Sequence, residues 1–68
     1  MKVGNIVMFV DEGRYARWFW GQLGTVVDAR VNKKGEEYCR VQWVQPALYH
    51  DSHTTYSSFR ASCFKVIA

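Results

Sequence analysis

Three consecutive segments carry the reading of the fold: GTVVDARV (Gly24–Val31), NKKG (Asn32–Gly35) and, after Glu36, EYCRVQWV (Glu37–Val44). In the last of them Tyr38, Arg40 and Gln42 alternate with Cys39, Val41 and Trp43. Successive side chains of a strand point to opposite faces, so this period of two predicts a half-buried strand with Cys39, Val41 and Trp43 inward. The first segment is rich in β-branched residues and reads as a second strand. Its apolar positions, Val26, Val27, Ala29 and Val31, change parity between Val26 and Val27. A bulge is expected there. Between the two strands, Asn32 opens a type I turn through its side chain, and Gly35 takes the positive φ that closes a G1-bulge hairpin. The two strands are therefore antiparallel neighbours.

Outward from this hairpin, Ile6–Val10 follows the turn signal Gly4-Asn5 and reads as the first strand. Thr54–Phe59 and Phe64–Ile67 are two shorter strands. A long first loop spans Asp11–Gln22. Within it Tyr15, Trp18 and Phe19 have the i, i+3, i+4 spacing of one helical turn, which Gly13 and Gly21 keep short. Gln45–His53, with Pro46, the only proline, reads as a second loop. No repeat or linker divides the chain, so residues 1–68 form a single domain. Five short strands, one tight hairpin and one long loop predict an all-β fold, a five-stranded small barrel with a long first loop. Its expected core is Val7, Phe9, Val26, Val41, Trp43, Tyr56, Phe64 and Ile67.

With 49% hydrophobic and 22% charged residues, the 68-residue chain can bury a core, and disorder is a poor reading. A chain this short has little room for a deep, water-excluding pocket beside that core. It carries no GxxxxGK[ST], GxGxxG or HExxH pattern, and Asp11 and Glu12 are adjacent rather than paired across a site. An enzyme is not expected. No apolar run reaches the roughly 18 residues of a membrane span. The N-terminal segment turns acidic too soon for a secretory signal, so a cytoplasmic chain is expected. The net charge of +3 is mild and the signs are mixed along the sequence. Cys39 and Cys63 belong to no CxxC pair and are expected as free thiols. His50-Asp51-Ser52-His53 reads as a polar turn with Asp51 bonding local backbone N–H groups. Four zinc ligands from Cys39, His50, His53 and Cys63 would need a spacing the sequence does not favour, and neither metal nor cofactor is expected.

Several motifs resemble those of SH3-like small barrels, including KOW-type domains. Val3-Gly4-Asn5-Ile6-Val7-Met8-Phe9 is similar to their "G-D-x-V-x-V" opening strand, and Gly21-Gln22-Leu23-Gly24-Thr25-Val26-Val27 to their "G-x-x-G-x-V". Tyr38–Trp43 resembles "Y-x-V-x-W", and Phe64-Lys65-Val66-Ile67 the closing "L-x-V-I". The order of these motifs also resembles short proteins of bacteriophages, especially those infecting cyanobacteria. The resemblance implies a small SH3-like barrel and, if the chain is phage-encoded, action in the host cytoplasm.

Tyr15, Trp18, Phe19 and Trp20 crowd the first loop, beyond what so small a core can hold. They can cap the open end of the barrel, form an exposed platform, or bury against a second copy of the chain. In an extended loop Trp18 and Trp20 share a face and Phe19 points the other way. Phe19 is thus expected to dock and at least one Trp to stay exposed. The reading is a non-enzymatic binding module for a protein or peptide, with Tyr15, Trp18, Trp20, Arg14 and Arg17 as contacts and Tyr49 or Tyr56 across the groove. Trp, Tyr and Arg are the residues that dominate such interfaces. The alternative is an RNA- or single-stranded-DNA-binding barrel, with Arg14, Arg17, Lys33, Lys34 and Arg40 on phosphates and the same aromatics stacking bases.

Overall fold

A computed structural model describes residues 1–68. Its elements are β1 (Ile6–Phe9), α1 (Ala16–Phe19), β2 (Leu23–Val31), β3 (Glu37–Tyr49), β4 (Ser52–Arg60), a 3-10 turn (Ala61–Cys63) and β5 (Phe64–Val66). The strands form one antiparallel sheet in the order β4-β3-β2-β1-β5. The all-β reading therefore holds. The two edges, β4 and β5, are joined by the 3-10 turn but do not pair, so hydrogen bonds do not close the sheet.

The β2–β3 turn is built as its sequence requires. Lys34 N and Glu36 N donate to Asn32 Oδ1 at 2.9 and 3.0 Å, and Gly35 N donates to Asn32 O at 3.0 Å. Gly35 has φ of 81°. Gly35→Val is expected to cost more than about 1 kcal/mol, because a Cβ strongly disfavours that conformation. Thermal melting should show the midpoint falling by several degrees; an unchanged melt would contradict the turn's role. The expected bulge is also present. Val26 pairs with Val41 and Asp28 with Arg40, leaving Val27 as the extra residue. Val26 is buried and Val27 exposed.

Gln45–His53 is not a loop. β3 runs on to Tyr49, and only His50 and Asp51 connect it to β4. Both have positive φ, 48° and 64°, as a two-residue type I′ hairpin demands. Pro46 is accommodated by a register shift. Gln42 faces Tyr56 and Ala47 faces Thr54, so the proline lies where ladder pairing is interrupted. Asp51 does not bond the backbone as expected, and it takes part in no side-chain hydrogen bond. The strand register sets this turn.

Val7, Phe9, Val26, Val41, Trp43 and Phe64 are buried as expected, and Cys39 joins them. Tyr56 and Ile67 do not: they are 45% and 51% exposed. Tyr56 is the register partner of Gln42 and shares its outward direction, whereas Phe59, opposite buried Cys39, points in. Ile67 lies past the last residue of β5. Phe19 and Ala47 occupy the remaining core. Phe9 is its hub, with ring centroids 5.0 Å from Phe59, 5.5 Å from Phe64 and 5.8 Å from Phe19. Phe59 and Phe64 meet at 6.1 Å across the unpaired edges. No helix is long and apolar enough to cross a membrane.

Both cysteines are free. Burial, aided by the nearby Glu37 charge, pushes the Cys39 thiol up to about 11. The native state then keeps a proton that the unfolded chain releases near its ordinary thiol range. Stability should fall as pH rises from about 9 through about 11, by roughly 1–2 kcal/mol. The readout is the gap between the wild type and Cys39→Ala in urea melts. That gap should narrow with rising pH; a constant gap would contradict the buried-thiol account.

Candidate functional site

The first loop folds back over the open end of the core as one helical turn. Trp20 N donates to Ala16 O at 2.9 Å, and Gly21, at φ of 81°, ends the turn and donates to Phe9 O at 2.8 Å. Phe19 anchors it. Its ring is buried and stacks on Trp43 at 5.2 Å with 17° between planes. Trp43 is fixed in turn by its Nε1–H, which donates to Ser57 Oγ at 2.9 Å. Burial of two aromatic rings and one satisfied indole N–H hold α1 on β3.

A helical turn spaces side chains differently from an extended chain. Trp18 and Trp20 therefore do not share a face, contrary to the expectation from period two. Trp18 is half-buried, with its ring 4.9 Å from Tyr49 and 4.5 Å from His50. Trp20 is 55% exposed and pairs with no aromatic ring. Phe19 docks, as expected. Tyr15 is half-buried, 6.2 Å from Tyr49 and 5.3 Å from Phe59. The loop thus both caps the core and leaves a ridge of partly exposed rings.

Two guanidiniums lie over this ridge. Arg14 Cζ is 5.7 Å from the Tyr15 ring centroid, and Arg17 Cζ is 4.8 Å from that of Trp18. Such contacts are cation–π pairs. The chain's ion pairs are Arg30–Asp28 at 2.8 Å, Arg60–Glu36 at 2.9 Å and the N-terminal amine with Glu37 at 3.9 Å; neither Arg14 nor Arg17 has a carboxylate partner. The Asp11 carboxylate instead accepts from Gly13 N at 3.2 Å. Beside the ridge is an open groove of about 280 Å³, lined by Tyr15, Tyr49, Phe59, Thr54, Ser57 and Ser58.

Five of the six residues expected to bind a protein partner, Tyr15, Trp18, Arg14, Arg17 and Tyr49, converge here, while Trp20 stands apart. Tyr56, the alternative to Tyr49, lies elsewhere, on the outer face of β4 under the Arg40 guanidinium at 5.0 Å. The cations expected on nucleic-acid phosphates are divided. Arg14 and Arg17 are on the first loop, Lys33 and Lys34 are exposed at the β2–β3 turn, and Arg40 faces outward between buried Cys39 and Val41. Sequence reasoning missed His50 and Phe59. The two-residue spacing between Tyr49 and Ser52 was a hairpin signal, hidden by Pro46 and by the polar run. No three of the His, Cys, Asp and Glu side chains form a group that could hold a metal ion. The arrangement offers apolar faces, guanidiniums and hydroxyls, a set suited to stacking and ion pairing. Compared with known proteins, the chain matches no family model, no curated protein sequence and no solved structure.

Proposed function

We propose that the chain is a non-enzymatic binding module, an SH3-like small barrel that holds a protein segment or peptide on the Tyr15–Trp18–Tyr49 ridge. The observation that carries this reading is the convergence of those three half-buried rings with two unpaired arginines beside an open groove. Aromatic side chains and arginine, partly desolvated and rigidly supported, are what binding hot spots are made of. Support is rigid here because Phe19 and Trp43 are buried directly beneath. Trp20 is not needed, since its ring joins none of these contacts. The barrel reading is supported by a single antiparallel sheet whose edge strands are linked by one 3-10 turn and share the Phe59–Phe64 contact. Free thiols support action in a reducing compartment such as the cytoplasm.

Selection of a displayed random-peptide library on the folded protein tests this. Peptides should be enriched, and amide and indole NMR shifts on titration should map to Tyr15, Trp18, Tyr49 and Phe59. Trp18→Ala should weaken binding by about tenfold or more, the size of a modest hot spot, with the sheet intact. Shifts confined to the outer face around Arg40 and Tyr56, or binding of single-stranded oligonucleotides alone, would overturn it.

A further inference from the structure

The ridge differs from a plain apolar groove in its charge. Arg14 and Arg17 are exposed, their guanidiniums are held over the Tyr15 and Trp18 rings, and neither is neutralised by a carboxylate of the chain. Asp11 and Glu12 are nearby in sequence, but Asp11 is turned toward Gly13 N and Glu12 forms no ion pair, nor does Asp51 in the β3–β4 turn. A guanidinium resting on an aromatic face keeps its edge N–H donors free, which is the geometry that accepts a carboxylate in a two-pronged bond. Stacking also removes part of the side-chain freedom that such a bond would otherwise cost. The groove alongside adds the apolar faces of Tyr15, Tyr49 and Phe59, while Ser57 Oγ is taken up by Trp43 Nε1–H and Thr54 Oγ1 by Tyr56 O.

We infer that the ligand of this site is an acidic peptide segment, one that places carboxylate side chains on Arg14 and Arg17 and apolar side chains against Tyr15, Trp18 and Tyr49. This rests on the binding function proposed above. A nucleic-acid strand fits less well. It needs a track of cations along its backbone, whereas Lys33, Lys34 and Arg40 lie away from these two arginines. A basic segment would meet two uncompensated guanidiniums.

The test uses the whole 68-residue chain and the same random-peptide display. Enriched peptides should carry more Asp and Glu than the naive library, together with aromatic or branched apolar residues. The best of them is then synthesised in three forms, with Glu, Gln or Lys at its charged positions, and titrated by fluorescence anisotropy. The Glu form should bind about tenfold more tightly than the Gln form at low salt, the gain expected of a charge-assisted pair. That gap should shrink at high salt. In the Arg14→Gln, Arg17→Gln double variant the Glu form should lose its advantage over the Gln form, the two binding with equal affinity. Both arginines are exposed, so circular dichroism of the variant should match the wild type. Equal affinity of the Glu and Gln forms, or preference for the Lys form, would overturn the acidic ligand while leaving a peptide site in place. No enrichment of any peptide would overturn both readings. Displacement of the Glu form by a single-stranded oligonucleotide at equal or lower concentration would assign the site to nucleic acid instead.

Discussion

Phe9→Ala should leave much of the chain unfolded at room temperature. Phe9 is fully buried and its ring meets Phe19, Phe59 and Phe64. Backbone pairing already joins β1 to β5 and to Gly21 of the first loop, and the Phe9 ring adds the β4 edge, which no backbone pairing brings to them. Truncating a buried phenylalanine costs about 3–5 kcal/mol, from lost burial plus the cavity left behind. A domain of this length has a total stability of roughly 3–10 kcal/mol. One substitution therefore removes a large part of it. Loss of amide dispersion in NMR spectra, or a melt shifted down by more than about 10 °C, is the expected result. Phe9→Leu keeps most of the volume and should remain folded. If Phe9→Ala melts within a few degrees of the wild type, Phe9 is not the hub of the core.

Phe19→Ala should have a comparable cost with a different signature. Phe19 is the sole buried residue of α1, stacked on Trp43. Four residues of helix have no stability of their own, so without that anchor the turn should fray. The loss should be about 3 kcal/mol or more. Tryptophan emission should shift to the red as Trp18 leaves Tyr49 and His50. Peptide affinity should fall with it, while amide shifts around the Asn32–Gly35 turn stay near their native values. A variant that loses stability yet keeps full affinity would separate the site from the helical turn and contradict its assembly on α1.

The hairpin was legible because everything that makes it is local. Asn32 and Gly35 specify the turn, and the alternation in Tyr38–Trp43 specifies which side is inward. The Val26–Val27 parity change specifies the bulge in the same way. The second hairpin was hidden by an assumption that proline ends a strand. Pro46 instead sits in a register shift that leaves β3 free to continue to Tyr49. That shift also decides that Phe59, not Tyr56, fills the core, because it fixes which residue of β4 stands opposite an inward residue of β3. No pattern inside β4 carries that information: its own residues are nearly all polar.

The candidate site divides along the same line. Its residue types were readable, since Arg14, Tyr15, Arg17 and Trp18 crowd one short loop beyond what the core can hold. Their arrangement was not, because a four-residue helix exists only through the contact that Phe19 makes with Trp43, far away in sequence. Once the loop is helical rather than extended, Trp18 turns to Tyr49 and His50 and Trp20 is left alone. By itself, then, the sequence determined the all-β class, the β2–β3 hairpin with its bulge, and the presence of an aromatic, arginine-bearing loop. These follow from backbone preferences and side-chain period, which act over a few residues. Tertiary structure alone decided the length of β3, the inward aromatic of β4, the open edges of the sheet and the pairing of Trp18 with Tyr49. Each depends on which distant surfaces compete for the same small core volume, and that competition has no local trace.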